Sequence, residues 1–167
     1  ARWLDRRPQP SHPPGMESRS PRALIDTPPV WLAGCIALAW VQARVLPLWP
    51  AGPGLRLAGA VVVGAGIVLL LLAAREFRRA RTSIVPRETP AALLTAGPYA
   101  LGRNPIYLAD ALILAGLVLR WDLAALPLVP AFVAVLTRRF IRGEEALCEA
   151  TFGASWAAYA RRTRRWL

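Results

Sequence analysis

Residues Gly97–Asp110 read GPYALGRNPIYLAD, and the fold of the whole chain turns on how this stretch is read. Gly97-Pro98 predicts a turn, because proline fixes φ and glycine tolerates dihedrals closed to other residues. Asn104-Pro105 predicts a helix start. Asparagine is a favoured N-cap, and proline suits the first helical position, where an N–H would have no partner. Ile106 to Leu119 is then almost wholly apolar, so a membrane-type helix is expected to begin just after Arg103. Its positive end and orphan N–H groups face whatever lies beside Arg103, which suits a carboxylate or another anion at a membrane surface. The plain alternative is a loop, a cap and an arginine that snorkels to the interface.

On either side of this stretch, apolar runs alternate with arginine clusters. Spans are expected near 30–48, 55–74, 105–119 and 123–138, judged against the roughly 20 residues that a bilayer crossing takes. The first includes Gln42 and Arg44, with Arg44 snorkelling outward and Trp49 in an aromatic belt. The second, Leu55–Ala74, is the clearest. Its Gly64-Ala65-Gly66 is not a dinucleotide loop, since position 69 is Leu and no strand precedes it. Ala60 and Gly64 instead predict a small-residue face for close helix packing. Arg120-Trp121-Asp122 predicts a tight outer turn, and Pro127 and Pro130 kink the fourth span or mark its start.

The chain has 167 residues, enough for one domain, and is 55% hydrophobic yet carries a net charge of +11, with arginine as its only basic side chain apart from one histidine. A nucleic-acid binder gathers such charge on one soluble face; here it is broken up by apolar runs, so no nucleic-acid partner is expected. Arg75, Arg78, Arg79, Arg81 and Arg87, then Arg138, Arg139 and Arg142, mark inner segments by the positive-inside rule. Both termini are therefore expected in the cytosol, with membrane lipids as neighbours. Ala91–Thr95 is expected as a short interfacial helix. Residues 1–29, rich in Pro, Arg and Ser, are expected to be a disordered tail without a signal peptide. The only methionine is Met16, which leaves open whether Ala1–Gly15 is native. Cys35 and Cys148 suggest no disulfide framework. The single histidine, His12, lies in the tail, so neither histidine catalysis nor a metal site is expected. The fold class is an all-α integral membrane protein of about four transmembrane helices. Residues 30–167 form one membrane domain, ending in a cytosolic helical region at 143–165.

A second informative stretch lies in that region: Glu144-Glu145-x-Leu147, then Phe152-Gly153, Trp156, Tyr159, Arg162 and Arg165-Trp166. Glu144–Arg162 is expected to be helical, with Glu144 and Glu145 in its first turn and Phe152-Gly153 as the place where a break would fall. That position favours carboxylates, but it gives no reason for two beside a membrane. Phe152, Trp156 and Tyr159 fall at i, i+4 and i+7, on one face. The terminal arginines Arg161, Arg162, Arg164 and Arg165 are mostly expected to contact anionic lipid.

Together the two stretches resemble the isoprenylcysteine carboxyl methyltransferase and phospholipid methyltransferase family, integral membrane enzymes that use S-adenosylmethionine. Gly97, Pro98, Tyr99, Arg103, Pro105 and Tyr107 match the first half of the family pattern. Glu144, Glu145, Phe152, Gly153, Tyr159 and Arg162 match the second. Asn104 stands where the family usually has His, and Trp156 where it usually has Tyr. The resemblance covers Thr82–Leu167. It implies a cofactor-binding set of Tyr99, Arg103, Asn104, Pro105, Tyr107, Leu108, Glu144, Glu145 and Tyr159. It implies Glu144 and Arg162 as the catalytic pair, with Arg162 near the acceptor. Arg103, Asn104, Tyr107, Glu144 and Glu145 are then expected to converge on one cytosol-facing pocket. The aromatic face becomes an interfacial anchor, packing on the span ends, or a lid over an adenine or a sulfonium. Asp110, one turn beyond Ile106, is placed to pair with Arg103 or another loop arginine, or to meet the cofactor amine.

Methyl transfer from a sulfonium is an in-line displacement in which positioning and electrostatics do most of the work. The acceptor is expected to be lipophilic and to arrive from the bilayer. A prenylcysteine carboxylate, a phosphatidylethanolamine amine, a small thiol and an isoprenoid all stay open. The lysine-free, Ala/Arg/Pro/Gly-rich composition suggests a bacterial inner membrane. Two other readings stand beside this one: a nicotinamide-dependent membrane reductase, which would need many more spans, and a non-catalytic scaffold or lipid-binding protein.

Overall fold

The computed structural model describes residues 26–80 and 90–166. Most of the expected tail, Arg81, Arg87 and Thr82–Pro86 lie outside the described residues. Within them the regular elements are all helical: α1 (Pro28–Val45), α2 (Pro53–Ala80), a 3-10 turn (Gly97–Ala100), α3 (Pro105–Trp121), a second 3-10 turn (Leu123–Ala125), α4 (Leu128–Leu136), a π-turn (Thr137–Ile141), α5 (Arg142–Phe152) and α6 (Ala154–Arg162).

Prolines set several boundaries. Pro28 and Pro29 form the first turn of α1, so the helix starts two residues inside the stretch expected to be tail. They lack only N–H groups that have no intrahelical acceptor at that position. α1 ends at Val45, short of Leu48, where the Gln42 side-chain amide donates to the Leu46 carbonyl at 2.8 Å and Pro47 follows. Pro127 precedes α4 and Pro130 lies in its first turn, so the pair sets a start and not a kink. Ala91–Thr95 forms no helix; it is a bend followed by irregular chain. Five residues ahead of a Gly-Pro turn are too few to offset the cost of helix nucleation.

Among the described residues, two helical stretches are long and apolar enough to cross a membrane, Pro53–Ala80 and Leu123–Phe152. On α2, Leu57, Val61 and Leu71 are 69%, 65% and 60% exposed, an apolar face that water would not favour. α1 and α3 lie beside these two, and the core joins Ala39 of α1, Tyr107, Leu114 and Val118 of α3, and Phe132, Leu136, Phe140 and Ile141 of the fourth helix.

α2 and α3 make the closest contact in the bundle. A Cβ on Gly59 would stand 2.5 Å from the Gly116 carbonyl oxygen, and one on Gly116 would stand 2.6 Å from that of Gly59. The small-residue face of α2 is Gly59, Gly66 and Ala73, all buried, not the expected Ala60 and Gly64. A Cβ on Gly64 would meet nothing within 4 Å. The seven-residue spacing keeps one seam against the antiparallel α3, and the α3 glycine decides which small residues of α2 are used.

One end of the bundle is fastened by the expected outer turn. Asp122, fully buried, accepts the Ala124 N–H at 2.8 Å and the Trp49 N–H at 3.1 Å. Ala51 N–H donates to the Trp121 carbonyl and Leu123 N–H to that of Trp49. Burial works against ionisation of Asp122, but these N–H donors outweigh it and hold the carboxyl below its ordinary value. Gly97–Asn104, α5, α6 and the C-terminal residues gather at the opposite end.

Candidate active site

The π-turn joins α4 to α5 without a free helix start: Leu136, Ile141 and Arg142 all keep right-handed helical dihedrals. Glu144 and Glu145 lie in the first turn of α5, as expected, but that turn continues the π-turn and offers them no free positive helix end. They are carried inward on a continuous helix and meet side chains from α3 and the C-terminus. The helical stretch expected over Glu144–Arg162 breaks after Phe152, at the Phe152-Gly153 position where a break was expected to fall. Gly153 has φ 48° and ψ −117°, a conformation open to glycine but strained for side chains with a Cβ, and the chain reverses into α6.

That reversal brings the last residues alongside the signature loop. Gly102 and Arg164 form a parallel bridge, and Arg103 N–H donates to the Arg164 carbonyl at 2.9 Å. Asn104 is the N-cap residue of α3, and its carbonyl accepts from Leu108 N–H at 3.0 Å. Its side chain makes no cap bond. The amide Nδ2 donates to the Arg165 carbonyl at 3.0 Å, because the adjacent C-terminal segment presents that acceptor.

Arg103 is the hub. One terminal nitrogen pairs with Glu145 Oε1 at 3.1 Å, and the other donates to the Ala160 carbonyl at 3.1 Å. The guanidinium lies 5.7 Å from the centre of the buried Trp156 ring. Its Nε is buried and has no hydrogen-bond partner. Glu145 is clamped from its other side by Arg165, through Nη2 at 2.6 Å and Nε at 3.1 Å. This carboxylate holds the Arg165 guanidinium above its ordinary pKa. Tyr107 donates its hydroxyl to Glu144 Oε1 at 2.6 Å. Asp110 is buried in α3, but Arg103 is committed to Glu145 and Ala160, and the expected Asp110–Arg103 pair does not form.

Aromatic rings close one side. Tyr159 donates to the Tyr99 carbonyl at 2.6 Å, its ring 5.8 Å from Trp156. Tyr99 stacks edge-on against Phe77 of α2, also at 5.8 Å. Burial pushes the Tyr159 phenol up to about 12, against the pull of Arg103 and Arg162, and pushes that of Tyr99 up as well. Trp156 and Tyr159 thus face inward, and the break at Gly153 separates them from Phe152. Pro105 is buried and Leu108 half-buried at the foot of α3.

The structure brings Arg103, Asn104, Tyr107, Glu144 and Glu145 to one end of the bundle through these direct contacts. Arg162 is exposed on α6, its guanidinium 6.0 Å from the Tyr159 ring. Arg165 belongs to the cluster yet was not among the expected site residues, and Trp156, expected as part of an aromatic anchor, packing face or lid, joins it. Arg165 was expected to touch lipid. Its 20-residue separation from Glu145 fits no helical spacing and becomes readable only once Phe152-Gly153 is taken as a reversal.

The family model for phospholipid methyltransferases matches residues 55–155, more than half of the chain. No curated protein and no solved structure matches it.

Proposed function

The chain belongs to the phospholipid methyltransferase family, and from that premise we propose that it is an integral membrane enzyme that methylates a lipophilic acceptor with S-adenosylmethionine. The reading places four spans in a bacterial inner membrane, with the site and both termini on the cytosolic side. One observation carries the chemistry. At one end of the bundle, Arg103, Tyr107, Glu144 and Glu145 form one polar cluster that still holds a buried, unpartnered donor, Arg103 Nε.

The cluster fits the cofactor. A buried N–H on a charged group is costly unless an acceptor meets it, and a carboxylate does so best. Arg103 would hold the carboxylate, and the Tyr107–Glu144 pair would receive the ammonium or the ribose hydroxyls. Tyr99, Pro105, Leu108 and Tyr159 would line the place, and Trp156 supplies a π-face attractive to a cation. Asn104 ties the C-terminal segment across the mouth, and Glu145 holds Arg103 in its orientation. When bound, S-adenosylmethionine supplies the electrophilic methyl group. The residues contribute position and field, which suffice for an in-line displacement. Arg162, exposed beside Tyr159, would orient an anionic acceptor. A carboxylate acceptor needs no base, whereas an amine acceptor would have to lose a proton to an acidic side chain such as Glu144.

The test is incubation of membranes containing the protein with methyl-labelled S-adenosylmethionine, followed by separation of lipid, protein and volatile products. Label in a lipid-soluble product is expected. Glu144→Gln should weaken cofactor binding by roughly tenfold or more, the worth of a charge-assisted hydrogen bond. Arg162→Ala should spare that affinity and cut turnover, most for an anionic acceptor. Absence of both binding and transfer in folded protein would leave a membrane scaffold.

A further inference from the structure

On a different face of the fourth helix from Glu144 lies a groove of about 570 Å³ between α1 and Arg139 of the π-turn, inside the range of roughly 300–1,000 Å³ typical of small-molecule sites. We propose that this groove is a phospholipid site, separate from the Arg103–Glu145 cluster. It seats one acyl chain along α1 and an anionic headgroup phosphate on Arg139.

The groove has the polarity of a lipid. Asp26, Val30, Gly34 and Leu38 recur every fourth residue and so share one face of the chain entering and forming α1. From Asp26 to Leu38 this face runs about 18 Å at roughly 1.5 Å per residue, close to one leaflet of a hydrocarbon core about 30 Å thick. Val30 and Leu38 are 45% and 56% exposed. A Cβ on Gly34 would meet nothing within 4 Å, so its missing side chain leaves the middle of the groove open.

Charge sits at one end only. Arg139 Nη2 pairs with Asp26 Oδ2 at 3.0 Å, and Trp31 Nε1 donates to Asp26 Oδ1 at 3.0 Å. The Arg139 guanidinium lies 5.5 Å from the centre of the Trp31 ring. Ring and carboxylate thus fix the guanidinium at the mouth. Its side chain remains 52% exposed, and a guanidinium carries five N–H donors, more than Asp26 takes. Arg138 and Arg142, both exposed, lie one and three residues from Arg139 along the same helix. Asp26 offsets the charge of Arg139, and the neighbouring Arg138 and Arg142 leave this rim net positive, which favours an anionic headgroup over a zwitterionic one. The site rests on the membrane reading of the chain and not on its chemistry.

Trp31 serves as the reporter. The full chain, purified in detergent and stripped of lipid, is titrated with phosphatidylglycerol bearing brominated acyl chains, and tryptophan fluorescence is read. Subtracting the curve of Trp31→Phe isolates the Trp31 signal from the other tryptophans. Quenching of Trp31 should saturate at low lipid mole fraction. Gly34→Leu, whose Cβ enters open space and whose longer side chain fills the groove, should abolish the saturating component while methyl transfer and circular dichroism stay unchanged. Arg139→Gln should raise the half-saturating mole fraction by about tenfold, the loss of a charge-assisted hydrogen bond. Brominated phosphatidylcholine should bind more weakly than phosphatidylglycerol. Quenching that rises without saturation, or that ignores both Gly34→Leu and Arg139→Gln, would overturn the site. Equal half-saturation for the two lipids would overturn the headgroup assignment. A groove covered by another segment or a second copy of the chain would leave Trp31 unquenched, and that also refutes the proposal.

Discussion

Replacing Glu145 with glutamine removes one negative charge from between two arginines and changes almost nothing in size. Glu145 and Arg103 have side chains 15% and 14% exposed, and Arg165 one 38% exposed. A charge-assisted hydrogen bond contributes about 1.5–3 kcal/mol, and breaking a buried pair from one side costs about 3–5 kcal/mol. Solvent reaches Arg165, which discounts its share. The expected cost of Glu145→Gln is therefore about 2–3 kcal/mol in all. The assay is unfolding by SDS titration in mixed micelles, run as a double-mutant cycle with Arg165→Gln. A coupling energy of about 1–2 kcal/mol is expected for partners in one network. Hydrogen exchange should also quicken across Ala154–Trp166, because the clamp is what fastens that segment to the signature loop. A coupling below about 0.5 kcal/mol, as for an ordinary exposed pair, together with unchanged exchange, would refute the clamp.

Other expectations follow from single contacts. Gly116→Val should cost about 1–3 kcal/mol or more by forcing α2 from α3, whereas Gly64→Val should be tolerated because its Cβ meets nothing within 4 Å; thermal unfolding of the two in detergent checks this. Gly153→Ala should carry about 1–3 kcal/mol of backbone strain, and limited proteolysis should cut near α6 before the bundle unfolds. Asp122 has a folded pKa below its unfolded value. Its contribution to stability is thus fully present above an unfolded value of about 3.9 and fades as pH falls through the folded value. Wild type should lose more stability than Asp122→Asn between about pH 5 and pH 3, and thermal melts across that range measure it.

Much of this architecture is written locally. Prolines at positions 28, 105 and 127 mark helix starts through their missing N–H, and Gly153 marks a reversal through its dihedrals. Such signals need no partner to be read. The small-residue face of α2 was not legible, because α2 offers Gly59, Ala60, Gly64 and Gly66 alike, and only Gly116 on another helix selects among them. The same holds at the candidate site. Arg103, Tyr107, Glu144 and Glu145 were legible because they carry the family pattern of the two stretches, Gly97–Asp110 and Glu144–Arg162. Arg165 looked like one more terminal arginine because its partner, Glu145, is reached only after the chain turns back at Gly153. Glu144 and Glu145 also looked like helix-start acids, since the π-turn that carries α4 into α5 leaves no mark in composition.

The most direct test of the account is calorimetric titration of S-adenosylmethionine into the purified, folded chain. Wild type should bind, Arg103→Met should bind about tenfold more weakly or worse through loss of a charge-assisted hydrogen bond, and Arg161→Ala, whose side chain lies outside the cluster, should match wild type. Absence of binding to wild type, or equal affinity in Arg103→Met, would contradict the assignment of this cluster to the cofactor.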